Sequence, residues 1–166
     1  LATKKLAKRG TMDYEIKTRG SFCVMGQEIK LAGTKTENVQ ISSRFWQTFN
    51  QNLKRAGCTG GPAWVKYAFL QRRADGLFYT PAVLLQSTVP PGFFVLELPA
   101  ATYLVAQHRG PMRNIYNSYE TLYRTLLPNS GRRPAQQQFL HFERYDDRFH
   151  WNRESSVLEL WVPVEP

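Results

Sequence analysis

The chain has few cysteines, few acidic residues and no long apolar run, and each shortage excludes a class of protein. Cys23 and Cys58 are its two cysteines, too few for a disulfide framework or a cysteine-based zinc site. No hydrophobic stretch approaches the roughly 20 residues of a membrane-spanning helix. The first residues also lack the charged-then-apolar order of a secretory signal. We therefore predict a cytoplasmic protein with reduced cysteines and no membrane partner.

Acidic residues are outnumbered, since Asp and Glu total 13 against 22 for Lys and Arg, which gives a net charge of +9. A balance this basic raises the question of nucleic-acid binding. Lys4, Lys5, Lys8 and Arg9 lie near the start without an acid among them, so we interpret residues 1–11 as a basic lead-in or linker. No helix pattern combines a basic face with helix-turn-helix spacing, so we expect DNA binding only through an additional domain.

Several motifs of enzyme chemistry are also missing. The sequence holds neither the G-x-S-x-G turn of α/β-hydrolases nor the G-x-x-x-x-G-K-[ST] loop that binds phosphates. Its three histidines, His108, His141 and His150, have no compact ligand spacing. A metal site that joins them with Glu143 is therefore only an alternative interpretation. We predict that the protein uses neither a cofactor nor a metal.

An approximate internal repeat organises the chain, because residues 12–88 and 93–166 each read strand, strand, amphipathic helix, strand, strand. In the first half, Asn38 or Ser42 is the predicted helix cap and Gly57 marks its end. The apolar residues of that helix recur every four positions: Ile41, Phe45, Phe49 and Leu53. The second helix follows Gly110-Pro111, and its apolar stripe is Ile115, Tyr119, Leu122, Tyr123 and Leu126.

This order indicates an α+β fold with antiparallel sheets. We predict two related sheet-and-helix units side by side, with the helices on one side and a ligand cleft between the halves. The aromatic residues of the helices follow helical spacing, so we interpret them as core residues rather than ligand contacts.

The strongest functional candidate is Glu143, which lies in an aromatic strand predicted over residues 138–145. At the two-residue period of a strand, one face carries Phe139, His141, Glu143 and Tyr145, and the other carries Leu140 and Phe142. If Leu140 and Phe142 pack on a helix, Glu143 faces away from the helices. Such a carboxylate can pair with a ligand cation, or act as a general acid or base if burial raises its pKa. The alternative is a solvated carboxylate paired with Arg144.

The last strand supplies two more candidates. Leu158, Leu160 and Val162 alternate with Glu159 and Trp161. If the leucine face meets the helices, Glu159 and Trp161 share the side of Glu143. Tyr67 is a candidate from the first half. The predicted ligand-binding set is therefore Glu143, Tyr145, Trp161, His141, Glu159 and Tyr67.

Four segments carry a family resemblance: YLVAQHRGP at 103–111, the helix at 119–127, FERY at 142–145 and LELWVPV at 158–164. They resemble the GyrI-like small-molecule-binding family, which includes effector-binding domains of AraC-type and MerR-type transcription regulators. The resemblance implies a duplicated β-α-β-β arrangement with a ligand cleft. It also implies that Glu143 matches a buried glutamate with which multidrug-binding members accept bulky, often cationic compounds. Tyr145 and Trp161 match cleft-facing positions.

We therefore predict that residues 12–166 bind aromatic, cationic small molecules, as the sensor of a transcription regulator or as a stand-alone relative. One alternative is a hydrolase that opens strained or electrophilic ring compounds, with Glu143 activating water. Another is a protein-interaction module of GyrI type, in which the aromatic excess marks a protein-facing surface. The natural ligand, the oligomeric state and the presence of a DNA-binding domain before residue 1 stay open.

Overall fold

The computed structural model describes residues 12–58, 60 and 64–166, so the predicted lead-in at 1–11 lies outside the described residues. Within them, nine antiparallel strands form one curled sheet. The strands are β1 (Tyr14–Arg19), β2 (Phe22–Gly26), β3 (Ile29–Lys30), β4 (Lys66–Arg73), β5 (Gly76–Leu84), β6 (Phe94–Leu98), β7 (Ala101–Arg109), β8 (His141–Tyr145) and β9 (Val157–Val164). The predicted α+β class is confirmed.

The order of the strands reveals how the two halves combine. The sheet runs β1-β7-β9-β8-β4-β5-β2-β6, with β3 beside β5. It is symmetric about the central β8–β4 pair if β6, β7, β8 and β9 are equivalent to β1, β2, β4 and β5. Each half gives its first strand to the other, because β1 pairs with β7 and β6 pairs with β2. The halves therefore share one continuous sheet, where we had expected two sheets side by side.

The first helix, α1 (Lys35–Arg55), begins after a capping residue that our prediction missed. Thr34 accepts a hydrogen bond from the backbone N–H of Glu37, and its hydroxyl donates to the Glu37 carboxylate. The predicted cap at Asn38 or Ser42 is wrong, because both lie inside the helix, where Ser42 donates to the Asn38 carbonyl. Gly57, with φ of +71°, follows the helix end as predicted.

The second helical segment is continuous but changes its winding. A 3₁₀ turn (Met112–Asn114) leads into α2 (Ile115–Thr121), a π-helical turn (Leu122–Leu126) and the short α3 (Leu127–Asn129). Its apolar stripe packs on the sheet through Ile115, Leu122 and Leu126, which are buried. π-helical turns are rare and often occur at functional sites. No helix of the described chain is long and apolar enough to cross a membrane.

The sheet has two faces with different partners. The helix-covered face carries Leu104, Ala106, Leu158, Leu160 and Val162, which form a core with the second helical segment. The opposite face carries an aromatic cluster of Tyr67, Phe69, Tyr103, Phe139, Phe142 and Trp161. The ring centroids of Phe142 and Trp161 stack at 5.3 Å. Both faces are therefore buried at the centre of the sheet.

Three side chains of the predicted 138–145 strand do not lie where we expected. The strand begins only at His141, so Phe139 precedes it and joins the aromatic cluster of the opposite face. Leu140 is 39% exposed and does not pack on a helix. Phe142 is fully buried on the opposite face. The helices therefore cover the face that carries Glu143, and our expectation that Glu143 faces away from them is wrong.

Candidate functional site

A cavity of about 420 Å³ lies on the helix-covered face, between the start of α1, the second helical segment and the central strands. Its aromatic lining is Tyr79, Tyr116, Tyr119, Tyr123 and Trp151, and its apolar lining includes Leu31, Val39, Leu70, Leu77, Met112 and Ile115. Glu143 and Lys35 also line it, one of each charge. The volume is that of a pocket for a drug-sized molecule.

Glu143 is the buried carboxylate of this cavity, with 7% of its surface exposed. β8 places it between Ala68 of β4 and Leu160 of β9, neither of which can pair with its charge. Tyr119 donates a hydrogen bond to Oε1 over 2.8 Å, and Tyr145 donates to Oε2. The pKa of the Glu143 carboxyl is raised above its ordinary value, because burial disfavours the charge more than the two tyrosine donors favour it.

Tyr145 is the last donor of a hydrogen-bond chain in which every hydrogen bond is donated in the direction of Glu143. The indole N–H of Trp46 can only donate, and it donates to the Tyr79 hydroxyl over 2.9 Å. The Tyr79 and Tyr145 hydroxyl oxygens are 3.5 Å apart, so Tyr79 donates to Tyr145, which donates to Glu143. Every member of the chain therefore presents a donor towards the carboxylate. The chain also connects α1, which carries Trp46, with the centre of the sheet.

The carboxylate has hydrogen bonds but no counter-ion among the described residues. In the part of the chain that the structure describes, none of the ion pairs includes Glu143. Lys35 lies at the cavity with its Nζ 5.5 Å from the ring centroid of Tyr116. Charges buried in proteins are normally paired. Glu143 therefore has no charged partner among the described side chains.

His141 forms a second polar group of the cavity. It lies two positions before Glu143 on the same face of β8, and its Nδ1 is 2.6 Å from the Tyr123 hydroxyl oxygen. Its ring stacks on Tyr119 with centroids 4.5 Å apart. Burial lowers the pKa of His141 to about 3, so the imidazole is neutral at physiological pH.

The structure brings together three of the six predicted site residues. Glu143 and His141 line the cavity, and Tyr145 reaches it through its hydrogen bond to Glu143. Trp161, Glu159 and Tyr67 lie on the opposite face. The prediction that Glu159 and Trp161 share a side with Glu143 is therefore wrong, and the facing of Tyr67 was left open by the sequence. The strand register explains the error, because Glu143 pairs with Leu160 while Glu159 pairs with Arg144.

Glu159 has a different environment from Glu143. It is 6% exposed, and its carboxylate pairs with Arg148 at 2.9 Å and with Arg144 at 3.3 Å. It also accepts a hydrogen bond from the Trp161 indole N–H. Asp146 extends this ion-pair network, since it binds both arginines. Glu159 therefore has structural partners for its charge, which Glu143 lacks among the described residues.

The site residues that our prediction missed include four tyrosines that line the cavity, Tyr79, Tyr116, Tyr119 and Tyr123. Helical spacing predicts Tyr119 and Tyr123 as core residues, and the strand pattern around Tyr79 does not distinguish it from its neighbours. Their phenol hydroxyls were the available signal, since a buried tyrosine normally needs a polar partner. No group of three or more His, Cys, Asp or Glu residues with metal-binding geometry occurs in the described ranges.

The curled, duplicated sheet and the aromatic cavity with its carboxylate define an effector-binding domain. Residues 15–164 match the family of integron-associated effector binding proteins, Cass2, and the chain belongs to this family. The predicted membership of the GyrI-like effector-binding fold is thereby confirmed.

Three known proteins are similar to the chain, one in sequence and two in fold. The transcriptional regulator BrlR of Pseudomonas aeruginosa is 26% identical over 99% of the chain, and the chain spans 60% of that protein. The structure of SAV2435 bound to tetraphenylphosphonium has a TM-score of 0.72 at 20% identity, with 93% of this chain and 94% of that one covered. A hydrolase from Listeria innocua has a TM-score of 0.55 at 13% identity, with 93% of each chain covered.

Proposed function

We propose that the domain binds bulky, aromatic, cationic small molecules in the cavity, with Glu143 as the partner of the positive charge. The observation that carries this proposal is the environment of Glu143. It is buried, it is held by two tyrosine donors, and it forms no ion pair among the described residues. SAV2435, which has a similar fold, was solved with tetraphenylphosphonium bound, a compound of this chemical class.

The cavity offers such a ligand two kinds of interaction. Apolar contact contributes about 25 cal/mol per Å² of surface removed from water. Each favourable contact between a cation and an aromatic face adds about 0.5–2 kcal/mol. Burial opposes an unpaired charge on Glu143, so a ligand cation also relieves the cost of that charge. Aromatic bulk therefore supplies affinity, and Glu143 supplies the preference for positive charge.

We further propose that the domain is the effector-binding part of a transcription regulator. The chain matches BrlR, a transcriptional regulator, and spans 60% of it. DNA contacts would then come from another part of the protein, because the cavity of this domain serves a small molecule. Ligand binding in the domain would change the DNA affinity of the complete regulator.

Two probes of the same shape and opposite charge test the role of Glu143. Tetraphenylphosphonium is a cation and tetraphenylborate is an anion, and both carry four phenyl rings on one central atom. Isothermal titration calorimetry of the wild type is expected to show binding of the phosphonium and much weaker binding of the borate. Glu143→Gln keeps the side-chain shape and removes the charge. We expect it to weaken phosphonium binding roughly 10- to 100-fold, as the loss of one partly screened charge contact implies.

Glu159→Gln is a matched control. Glu159 has the same residue type and nearly the same exposure, 6% against 7%, but lies on the opposite face. We expect Glu159→Gln to retain the wild-type preference for the phosphonium over the borate. Equal loss of phosphonium affinity in Glu143→Gln and Glu159→Gln, or an unchanged affinity in Glu143→Gln, contradicts the proposal.

A hydrolase is the second candidate function, favoured by the similarity in fold to the Listeria innocua hydrolase. Glu143 would then act as the general base that activates water. Both of its oxygens already accept a tyrosine hydrogen bond, which favours binding over proton abstraction. Mass spectrometry of epoxides and other electrophilic ring compounds after incubation separates the two functions, because only a hydrolase converts them. Failure to bind any aromatic cation would favour a protein-interaction module instead.

A further inference from the structure

His141 has one ring nitrogen that the described protein does not use. Its Nδ1 meets the Tyr123 hydroxyl over 2.6 Å, whereas Nε2 has no hydrogen-bond partner among the residues that the structure describes. The side chain lines the cavity and is 7% exposed. A ligand in the cavity therefore contacts the side chain that carries the unused Nε2.

The tautomer of His141 follows from its contact with Tyr123. A phenol hydroxyl is a stronger donor than a neutral imidazole N–H, and an imidazole nitrogen is a stronger acceptor than a phenol oxygen. We therefore assign Tyr123 as the donor and Nδ1 as the acceptor. The remaining proton then lies on Nε2, and stacking on Tyr119 fixes the plane of the ring. Nε2–H is a preorganised donor of the cavity.

We propose that His141 selects, among aromatic cations, those that carry a hydrogen-bond acceptor such as a carbonyl oxygen. His141 and Glu143 are two positions apart on one face of β8, so their backbones are about 7 Å apart along the strand. The ligand class is an aromatic cation with an acceptor at a comparable distance from its charge. This inference rests on the proposed function, because the acceptor is recognised in the same cavity.

The donor contributes selectivity because an acceptor must give up its hydrogen bond to water on entering the cavity. Where Nε2–H replaces that bond, the acceptor is accommodated and the donor is satisfied. A net gain of roughly fivefold in affinity is expected from one neutral hydrogen bond. Without the donor, the same acceptor would be buried unpaired and would weaken binding.

Two derivatives of one cation test this inference. Tetraphenylphosphonium with a para-acetyl group on one ring carries a carbonyl acceptor, and the para-isopropyl analogue has nearly the same shape without one. Calorimetry on the wild type is expected to show roughly fivefold tighter binding of the acetyl derivative. His141→Phe should bring the ratio to one or below, because the buried acceptor then has no donor, and Tyr123→Phe should reduce it. Tyr67→Phe removes a hydroxyl on the opposite face and should leave the ratio unchanged.

Nitrogen-15 NMR of the histidine rings supplies a readout that a merely structural role would not change. We expect the proton on Nε2 in the free protein, and a shift of its resonance with the acetyl derivative but not with the isopropyl one. If His141→Phe fails to fold, Tyr123→Phe still tests the inference, because Tyr123 is 37% exposed.

Different results would contradict the role of His141 and the proposed binding of aromatic cations. A wild-type ratio of one, or a ratio that neither variant changes, overturns the role of His141 while leaving cation binding intact. Absence of binding for both derivatives and for tetraphenylphosphonium itself overturns the proposed function.

Discussion

Tyr119→Phe changes the surroundings of the buried Glu143 carboxylate with the least disturbance of packing, because it removes a single hydroxyl and keeps the ring. That hydroxyl donates to Glu143 over 2.8 Å. A hydrogen bond to a charged group contributes about 1.5–3 kcal/mol, and one pH unit of pKa corresponds to about 1.36 kcal/mol. We therefore expect Tyr119→Phe to raise the pKa of Glu143 by roughly one to two pH units. At neutral pH, the charged form of Glu143 then lowers the stability of the folded protein more than it does in the wild type.

The pH dependence of stability follows from the direction of this pKa. A carboxyl whose pKa is raised by folding binds its proton more readily in the folded protein. Its contribution to stability is fully present below its unfolded pKa of about 4.3, and is lost as the pH rises through the folded pKa. Tyr119→Phe raises the pKa of Glu143 in the folded protein. The variant therefore loses more stability than the wild type when the pH rises to neutral. His108 and His141, whose pKa values burial lowers, act in the opposite direction, and a comparison with the wild type removes their contribution.

Urea unfolding at about pH 5 and about pH 8 measures this difference. We expect the loss of unfolding free energy between the two pH values to be larger in Tyr119→Phe than in the wild type by up to about 1.5–3 kcal/mol. Tyr116→Phe is the matched control, because the Tyr116 hydroxyl lies in the same helical segment without a hydrogen bond to any described residue. An equal pH dependence in Tyr119→Phe and the wild type would refute the reasoning.

Three further predictions concern other parts of the structure. Glu159→Gln should lower the free energy of unfolding by about 1–3 kcal/mol, because two arginines lose their shared buried carboxylate; unchanged stability in urea contradicts this. Trp151→Ala should weaken tetraphenylphosphonium binding roughly fivefold through lost apolar contact, and should reduce the fluorescence change on titration; wild-type affinity would exclude Trp151 from the ligand contact. Trp46→Phe should destabilise the fold by about 1 kcal/mol, because Tyr79 loses its donor; an unchanged urea midpoint contradicts that role.

Alternation along the strands predicted which residues share a face, but not which face the helices cover. The segment around Glu143 has the expected period, so His141, Glu143 and Tyr145 lie together. The facing was wrong because an apolar pair, Leu140 and Phe142, looked like the side that packs on a helix. In a sheet that is buried on both faces, apolar residues occur on both, and the pattern no longer distinguishes them.

The repeat predicted the element order of the fold, whereas the exchange of first strands depends on contacts between the halves. β1 could have paired with β2 of its own half, and no local signal indicates that it pairs with β7. The hydrogen-bond chain was hidden for the same reason, since Trp46, Tyr79 and Tyr145 are distant in sequence. Glu143 could be singled out as a candidate from the sequence, because a carboxylate among apolar residues in a strand is unusual.

Carbon-13 NMR of the Glu143 carboxyl group, assigned with Glu143→Gln, tests the central claim most directly. The free protein is expected to show a pKa above the ordinary value for glutamate, since burial raises it. Saturating tetraphenylphosphonium should lower that pKa, because a nearby cation favours the charged form. A Glu143 resonance and pKa that do not change while the ligand is bound would contradict the account.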